Sequence, residues 1–176
     1  MRNWCAIVER RWAIVRRQRG LARFWLFLRA LVYALSVPLQ VKLPWPRLNA
    51  LLERRFPREG RTGTLTTTEC DRVRCIQDAL DFGRPLVRTS CLTRGMTLYY
   101  FLRRAGVGVT LCFGIRRRGR ELTVERGHCW LELAGEPILE RGDPHAGFLP
   151  ICRLPLTGAN EERRGPLNAV GWEGAT

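Results

Sequence analysis

The chain has 176 residues, thirty basic against sixteen acidic, for a net charge of +14, and Lys42 is its only lysine. This length allows one domain with a real core, or a small catalytic domain carrying a helical extension, and the second is expected here. The guanidinium-rich charge suits an acidic peptide, an anionic membrane surface or nucleic acid as partner, because Arg grips carboxylate and phosphate through paired hydrogen bonds. An Arg-only bias also arises from coding composition alone.

The seven cysteines, Cys5, Cys70, Cys75, Cys91, Cys112, Cys129 and Cys152, make an odd count. The start of the chain lacks the short apolar core and small-residue cleavage site of a secretion signal, so a reduced, cytoplasmic setting is expected. No CxxC pair, HExxH or GxxxxGK[ST] loop is present, so neither a metal nor a nucleotide cofactor is expected.

Residues 4–19 place Trp4, Ile7, Val8, Trp12 and Val15 on one side of a basic amphipathic helix that Gly20 interrupts. The apolar run from Leu21 to Val37 follows and is expected to stop at Pro38. As a membrane span, Phe24 to Leu39 is short, and Arg29 within it costs about 2.5 to 3.5 kcal/mol on insertion scales. Packing on the domain, or lying on a membrane or partner surface, fits better. Pro38, Pro44 and Pro46 then break the chain, a brief helical piece spans Leu48 to Arg55, and the polar loop Pro57 to Gly63 is the best boundary.

Thr68-Glu69-Cys70-Asp71 reads as a capping box with Asp in place of Glu. Val73, Ile76, Ala79 and Leu80 continue that helix until Gly83 and Pro85 end it. A second helix opens at Thr89-Ser90-Cys91-Leu92 and carries Leu92, Met96, Tyr99, Tyr100 and Leu102, with Gly106 as its stop. From Val107 to Arg116 apolar residues alternate as in a strand. Leu122 and Val124 form a second short strand, His128 to Leu133 a third, and Ile138-Leu139-Glu140 follows a turn. Arg141 onward is rich in Gly, Pro and Arg, and Gly158 onward reads as a frayed tail. The expected fold is thus α+β, with helices on a small antiparallel sheet. Its parts are a helical extension over residues 1–65, a core over 66–157 and a tail over 158–176.

Cys91 is the candidate nucleophile. A thiol attacks only as thiolate, and the unpaired N–H groups of a helix N-terminus favour negative charge. On the third strand His128, Trp130 and Glu132 face one way while Cys129, Leu131 and Leu133 face the core. His128 then points toward whatever covers its face, for which the Cys91 helix is the nearest candidate. Glu140 lies twelve residues on, on the neighbouring strand, where its carboxylate can reach the far ring nitrogen, and Asp143 is the alternative acid. A thiolate, an imidazole and a group fixing its tautomer are what a cysteine peptidase needs. A lone cysteine or strand histidine is ordinarily structural, and it is the two together, with an acid following, that point to catalysis. Trp130 walls the site or simply packs, Cys129 belongs to the core, Tyr99 and Tyr100 are core residues, Glu132 reads as a solvated rim charge and His145 as solvent-exposed.

The order Cys, His, acid, with the cysteine opening a helix and the others on adjacent strands, resembles papain-like and transglutaminase-like folds. The run Cys91-Leu92-Thr93-Arg94-Gly95-Met96-Thr97-Leu98, Leu102-Arg103-Arg104-Ala105-Gly106-Val107, Gly114-Ile115-Arg116, His128-Cys129-Trp130-Leu131-Glu132 and Gly135 is similar to the transglutaminase-like peptidases of lasso-peptide biosynthesis. The likeness covers about residues 66 to 143. It implies a peptidase that removes the leader from a ribosomally made precursor, with Cys91, His128 and Glu140 as nucleophile, base and acid. The family's acid is usually Asp, so Glu140 departs from the pattern. Residues 1–65 show no alternating strands for a winged-helix leader-recognition domain, which implies a separate leader-binding protein and a cyclase as partners, and no nucleic acid. Two other classes stay open, a transglutaminase-like acyltransferase using the same triad and a non-catalytic basic module for membrane or nucleic acid.

Overall fold

The computed structural model describes residues 14, 20–44, 47, 48, 50, 52, 60–84, 90–118 and 121–155. All of the 4–19 segment but Ile14, the tail from residue 158, most of Leu48–Arg55 and residues 57–59 of the polar loop lie outside that set. Among the described residues the helices α1 (Leu21–Gln40), α2 (Thr67–Gly83) and α3 (Cys91–Arg104) precede an antiparallel sheet. Its strands are β1 (Val109–Arg118), β2 (Glu121–Leu133), β3 (Glu136–Ile138) and β4 (Phe148–Leu154), in the order β3-β2-β1-β4. The α+β arrangement of helices on a small antiparallel sheet is the one the sequence implied.

Helix α1 starts after Gly20, whose φ of 108° only glycine adopts cheaply. It does not stop at Pro38 but continues to Gln40. Proline removes the N–H that would bond the Ala34 carbonyl, yet the turn beyond it still closes, with the Val41 N–H donating to the Val37 carbonyl at 3.0 Å. One face buries Phe27, Ala30, Ala34 and Val37. The two alanines let α1 approach its neighbours closely. Phe27 meets Phe82 of α2 edge-on at 5.5 Å, and Tyr33 stacks on Tyr100 of α3 at 4.3 Å. Aromatic pairs of this kind add about 0.5 to 1.5 kcal/mol beyond the area they bury.

The capping box of α2 sits two residues earlier than expected. Thr66 is the N-cap, its hydroxyl accepts from the Glu69 N–H, and the Glu69 carboxylate accepts from the Thr66 N–H at 2.7 Å. Thr-x-x-Glu outranks Thr-x-x-Asp because the longer side chain reaches back to the N-cap nitrogen. Arg61 also bonds Glu69, and its backbone strand-pairs with Val107 at the α3–β1 junction. Val73, Ile76, Ala79 and Leu80 turn to the common core, which Met96, Leu98, Tyr99 and Leu102 of α3 share.

The sheet differs from its expected form in three places, the first being that β3 ends at Ile138, so Glu140 lies just past the strand and not on it. The two short strands Leu122–Val124 and His128–Leu133 are one strand, β2. Its pairing with β1 jumps from Ile115↔Gly127 to Arg116↔Thr123, leaving three extra residues on β2. Such a bulge interrupts the alternation of apolar residues without ending the strand. Strand β4 was hidden by Pro150, which sits opposite Gly114 where the β1–β4 register shifts. A bulge in an edge strand is where a sheet tolerates proline.

Candidate active site

Cys91 is the first residue of α3 and is exposed. Ser90 is its N-cap; the Ser90 hydroxyl accepts from the Thr93 N–H at 3.2 Å and the Ser90 carbonyl from the Arg94 N–H at 3.1 Å. The N–H groups of Cys91 and Leu92 come before the intrahelical ladder, so they point outward beside the thiol. Helix dipole and N–H groups together favour an anionic oxygen there, such as the oxyanion of acyl transfer. The helix ends with Arg103 and Arg104 in its last turn, matching the opposite pole.

Helix α3 lies on the Cys129, Leu131 and Leu133 face of the sheet, not on the His128 face as the sequence led one to expect. A Cβ placed on Gly95 would stand 2.7 Å from the Cys129 sulfur and 3.1 Å from Leu111. The reason is that the apolar residues of β1 and β2 share that face and the helix covers it. On the His128 face lie instead the Phe148 side chain of β4, 5.0 Å from the His128 ring, and the short 3-10 turn Pro144–Ala146, whose His145 meets Trp130 edge-on at 5.5 Å. Cys91 and His128 nevertheless line the same small cleft, which opens between the first turns of α3 and the β2–β3 edge. Its walls are Cys91, Arg94, Gly95 and Leu98 from α3, His128 to Leu131 from β2, and Ile138 to Glu140.

Within the cleft, His128 Nε2 lies 3.3 Å from Glu140 Oε2, both side chains about one-fifth to one-quarter exposed. A carboxylate only accepts, so in this pairing Nε2 is the donor, and in a neutral ring Nδ1 is then the nitrogen left with a lone pair. Asp143 is occupied otherwise. Its carboxylate caps the 3-10 turn by accepting from the His145 N–H at 2.9 Å. The indole of Trp130, 1 % exposed, runs nearly parallel to the His128 ring at 6.0 Å. Gly114 makes room for it, since a Cβ there would stand 2.7 Å from the indole.

Glu132 is buried at 2 % exposure, not a solvated rim charge. Trp130 Nε1 donates to its Oε1 at 3.0 Å, His145 Nε2 lies 3.1 Å from the same oxygen, and Arg153 Nη2 lies 3.5 Å from Oε2. The indole hydrogen bond and the two basic side chains at ion-pair distance compensate a carboxylate that would otherwise be too costly to bury. His145, read as solvent-facing, has its side chain one-third exposed and tied to that carboxylate. The network pins the indole that backs His128.

Burial pushes the Cys129 thiol well above its ordinary range, and neighbouring Cys91 adds to the effect. Burial likewise raises Cys112, with the Glu132 charge contributing. Both therefore behave as small apolar core residues, inert beside the exposed Cys91. Among the described residues no cluster of His, Cys, Asp or Glu has the makings of a metal site.

One residue escaped sequence reasoning. Arg94, one turn beyond Cys91, donates through Nη2 to the Leu139 carbonyl at 2.7 Å. Leu139 holds φ at 62°, a left-handed conformation that costs a non-glycine residue about 1 to 3 kcal/mol. That turn carries the chain from β3 into Glu140. Arg94 thus joins the helix bearing the thiol to the segment bearing the acid, a link between residues 45 apart that no local pattern announces.

No curated protein and no solved structure was found to match the chain. Residues 33–153 match the family model described as the transglutaminase-like superfamily. The match begins in the middle of α1, runs through β4 and takes in well over half of the sequence, so the chain belongs to the transglutaminase-like superfamily.

Proposed function

We propose that this protein is a cysteine peptidase that removes the leader from a ribosomally synthesised lasso-peptide precursor, acting with a separate leader-binding protein and a cyclase. Members of the superfamily usually work as cysteine peptidases or acyltransferases. The observation that supports the catalytic reading is a single cleft lined by exposed Cys91, at a helix N-terminus, and by His128, whose Nε2 lies 3.3 Å from Glu140. The narrower reading rests on the Cys-Leu, Arg-Arg-Ala-Gly and His-Cys-Trp-Leu-Glu motifs and their order.

In this mechanism His128 Nδ1 takes the thiol proton and the Cys91 sulfur attacks the scissile carbonyl. The resulting oxyanion is held by the Cys91 N–H. Collapse breaks the C–N bond, His128 protonates the leaving amine, and a thioester remains on Cys91. Water then attacks the thioester, giving its proton to His128, and the leader leaves as a carboxylic acid while the thiol is restored. Glu140 keeps the ring in the productive tautomer and stabilises the imidazolium. Delivery of the thioester to an amine instead of water would make the enzyme an acyltransferase.

The test is to mix the purified protein with a co-encoded precursor and leader-binding partner and follow masses. Cleavage into leader and core is expected, with Cys91→Ala and His128→Ala slower by about 10³-fold or more while folded. Glu140→Ala is expected to lose activity and Asp143→Ala to keep it. Full activity in Cys91→Ala or His128→Ala ends the peptidase reading, and a mass gain in place of hydrolysis points to acyl transfer.

A further inference from the structure

Helix α1 has a second apolar face that the domain does not use. Opposite the buried Phe27, Ala30, Ala34 and Val37, the side chains of Leu21, Trp25, Leu28, Val32, Leu35 and Leu39 stand in solvent, Trp25 at 56 %, Val32 at 59 % and Leu39 at 69 % exposure. At 3.6 residues per turn these six fall within an arc of about 80°. They make one straight stripe along the length of the helix, and an exposed stripe of this extent marks an interaction surface. The chain around it is uniformly basic. Residues 10–52 contain nine Arg or Lys and no Asp or Glu, and among the described residues Arg29 and Lys42 are exposed beside the stripe.

We propose that the outer face of α1 seats the protein on the surface of an anionic lipid bilayer, the helix lying in the plane of the interface. Charge complementarity selects this occupant. An apolar stripe flanked by cations and free of acidic residues suits acyl chains beneath anionic headgroups, and Trp25 is the side chain that prefers that boundary. A second copy of this chain would set two surfaces of like charge against each other, which costs affinity. Among the described residues α1 is the one helix long and apolar enough to cross a membrane. Spanning is a different matter, because it would tear Phe27 from Phe82 and Tyr33 from Tyr100 and expose the inner face.

The experiment is co-sedimentation of the full chain with large vesicles of phosphatidylcholine alone and of phosphatidylcholine with phosphatidylglycerol. Binding is expected to the anionic vesicles, weaker to the neutral ones, and reduced by salt. Val32→Glu together with Leu35→Glu, both on the exposed stripe, is expected to cut binding about tenfold or more. The unfolding temperature and helical circular dichroism should stay unchanged; Val32→Ser with Leu35→Ser serves if the charged pair disturbs the fold. Failure to sediment with anionic vesicles overturns the proposal. So does undiminished binding of the folded variants, which would assign it to basic residues elsewhere. A concentration-dependent dimer that these substitutions dissociate would assign the stripe to a second copy instead.

Discussion

Replacing Gly95 by Ala probes how deeply α3 is seated on the sheet. Two effects oppose. Alanine in a helix interior is favoured over glycine by about 0.8 to 1 kcal/mol. Its Cβ, however, would stand 2.7 Å from the sulfur of Cys129, a buried core residue, and 3.1 Å from Leu111 Cδ1. Carbon and sulfur at rest need roughly 3.5 Å or more, so helix or strand must move by close to an ångström. Overpacking of this kind costs about 1 to 3 kcal/mol. The net expectation is a loss of about 0 to 2 kcal/mol, which for a chain of this length lowers the unfolding temperature by up to about 8 °C. In a Cys129→Ala background the sulfur is gone, Leu111 can yield at its flexible end, and the same substitution should stabilise. The assay is denaturant and thermal unfolding of the four proteins of the cycle, with an expected coupling of about 1 to 3 kcal/mol. If Gly95→Ala raises stability equally in both backgrounds, the close approach of α3 to β2 is not as described, and the placement of Cys91 falls with it.

Arg94→Leu removes the donor to the Leu139 carbonyl, and is expected to lower the rate of precursor cleavage about 10- to 100-fold with little change in substrate binding. Partial rescue by Arg94→Lys would mark the loss as one of positioning, and unchanged kinetics in Arg94→Leu would refute it. Gly114→Ala drives a Cβ into the indole of Trp130, so activity should fall together with a change in the near-ultraviolet circular dichroism of the tryptophans, whereas a silent substitution would contradict the stacking. For Glu69, burial raises the carboxyl's pKa, but the bonds from Arg61 and Thr66 outweigh it and hold it below the ordinary 4.5. Its contribution to stability is therefore full above that value and lost as pH falls through the lower folded one. Wild type and Glu69→Gln should differ most in unfolding temperature above the ordinary value of 4.5 and converge as pH falls through the lower folded value; parallel curves would show that the carboxylate contributes nothing by its charge.

The local periodicities carried much of the fold. Cys91 to Arg104 is a helix because Ser90 caps it and Leu92, Met96, Tyr99 and Leu102 recur at helical spacing. The β1 strand and the turn at Gly135 are equally local, since alternation and a glycine with φ of 88° are properties of neighbouring residues. The exposed stripe of α1 also follows from spacing, as one apolar face was needed for the core and the sequence supplies two. Local pattern failed where long-range pairing overrode it. The bulge in β2 and the Pro150 position of β4 are tolerated only because β1 lies between them and accepts the shifted registers.

For the site, the sequence by itself determined that a helix-opening cysteine, a strand histidine and a following acid exist in order. Only the tertiary structure decided which groups face one another. Glu140 approaches His128 because Leu139 turns left-handed under the hold of Arg94, while Asp143 is taken by the turn it caps. Glu132 is buried because Trp130, His145 and Arg153 converge on it from two strands and a turn. A carboxylate reads as exposed from sequence because burial without partners is so costly, and the partners come from parts of the chain that only folding brings together.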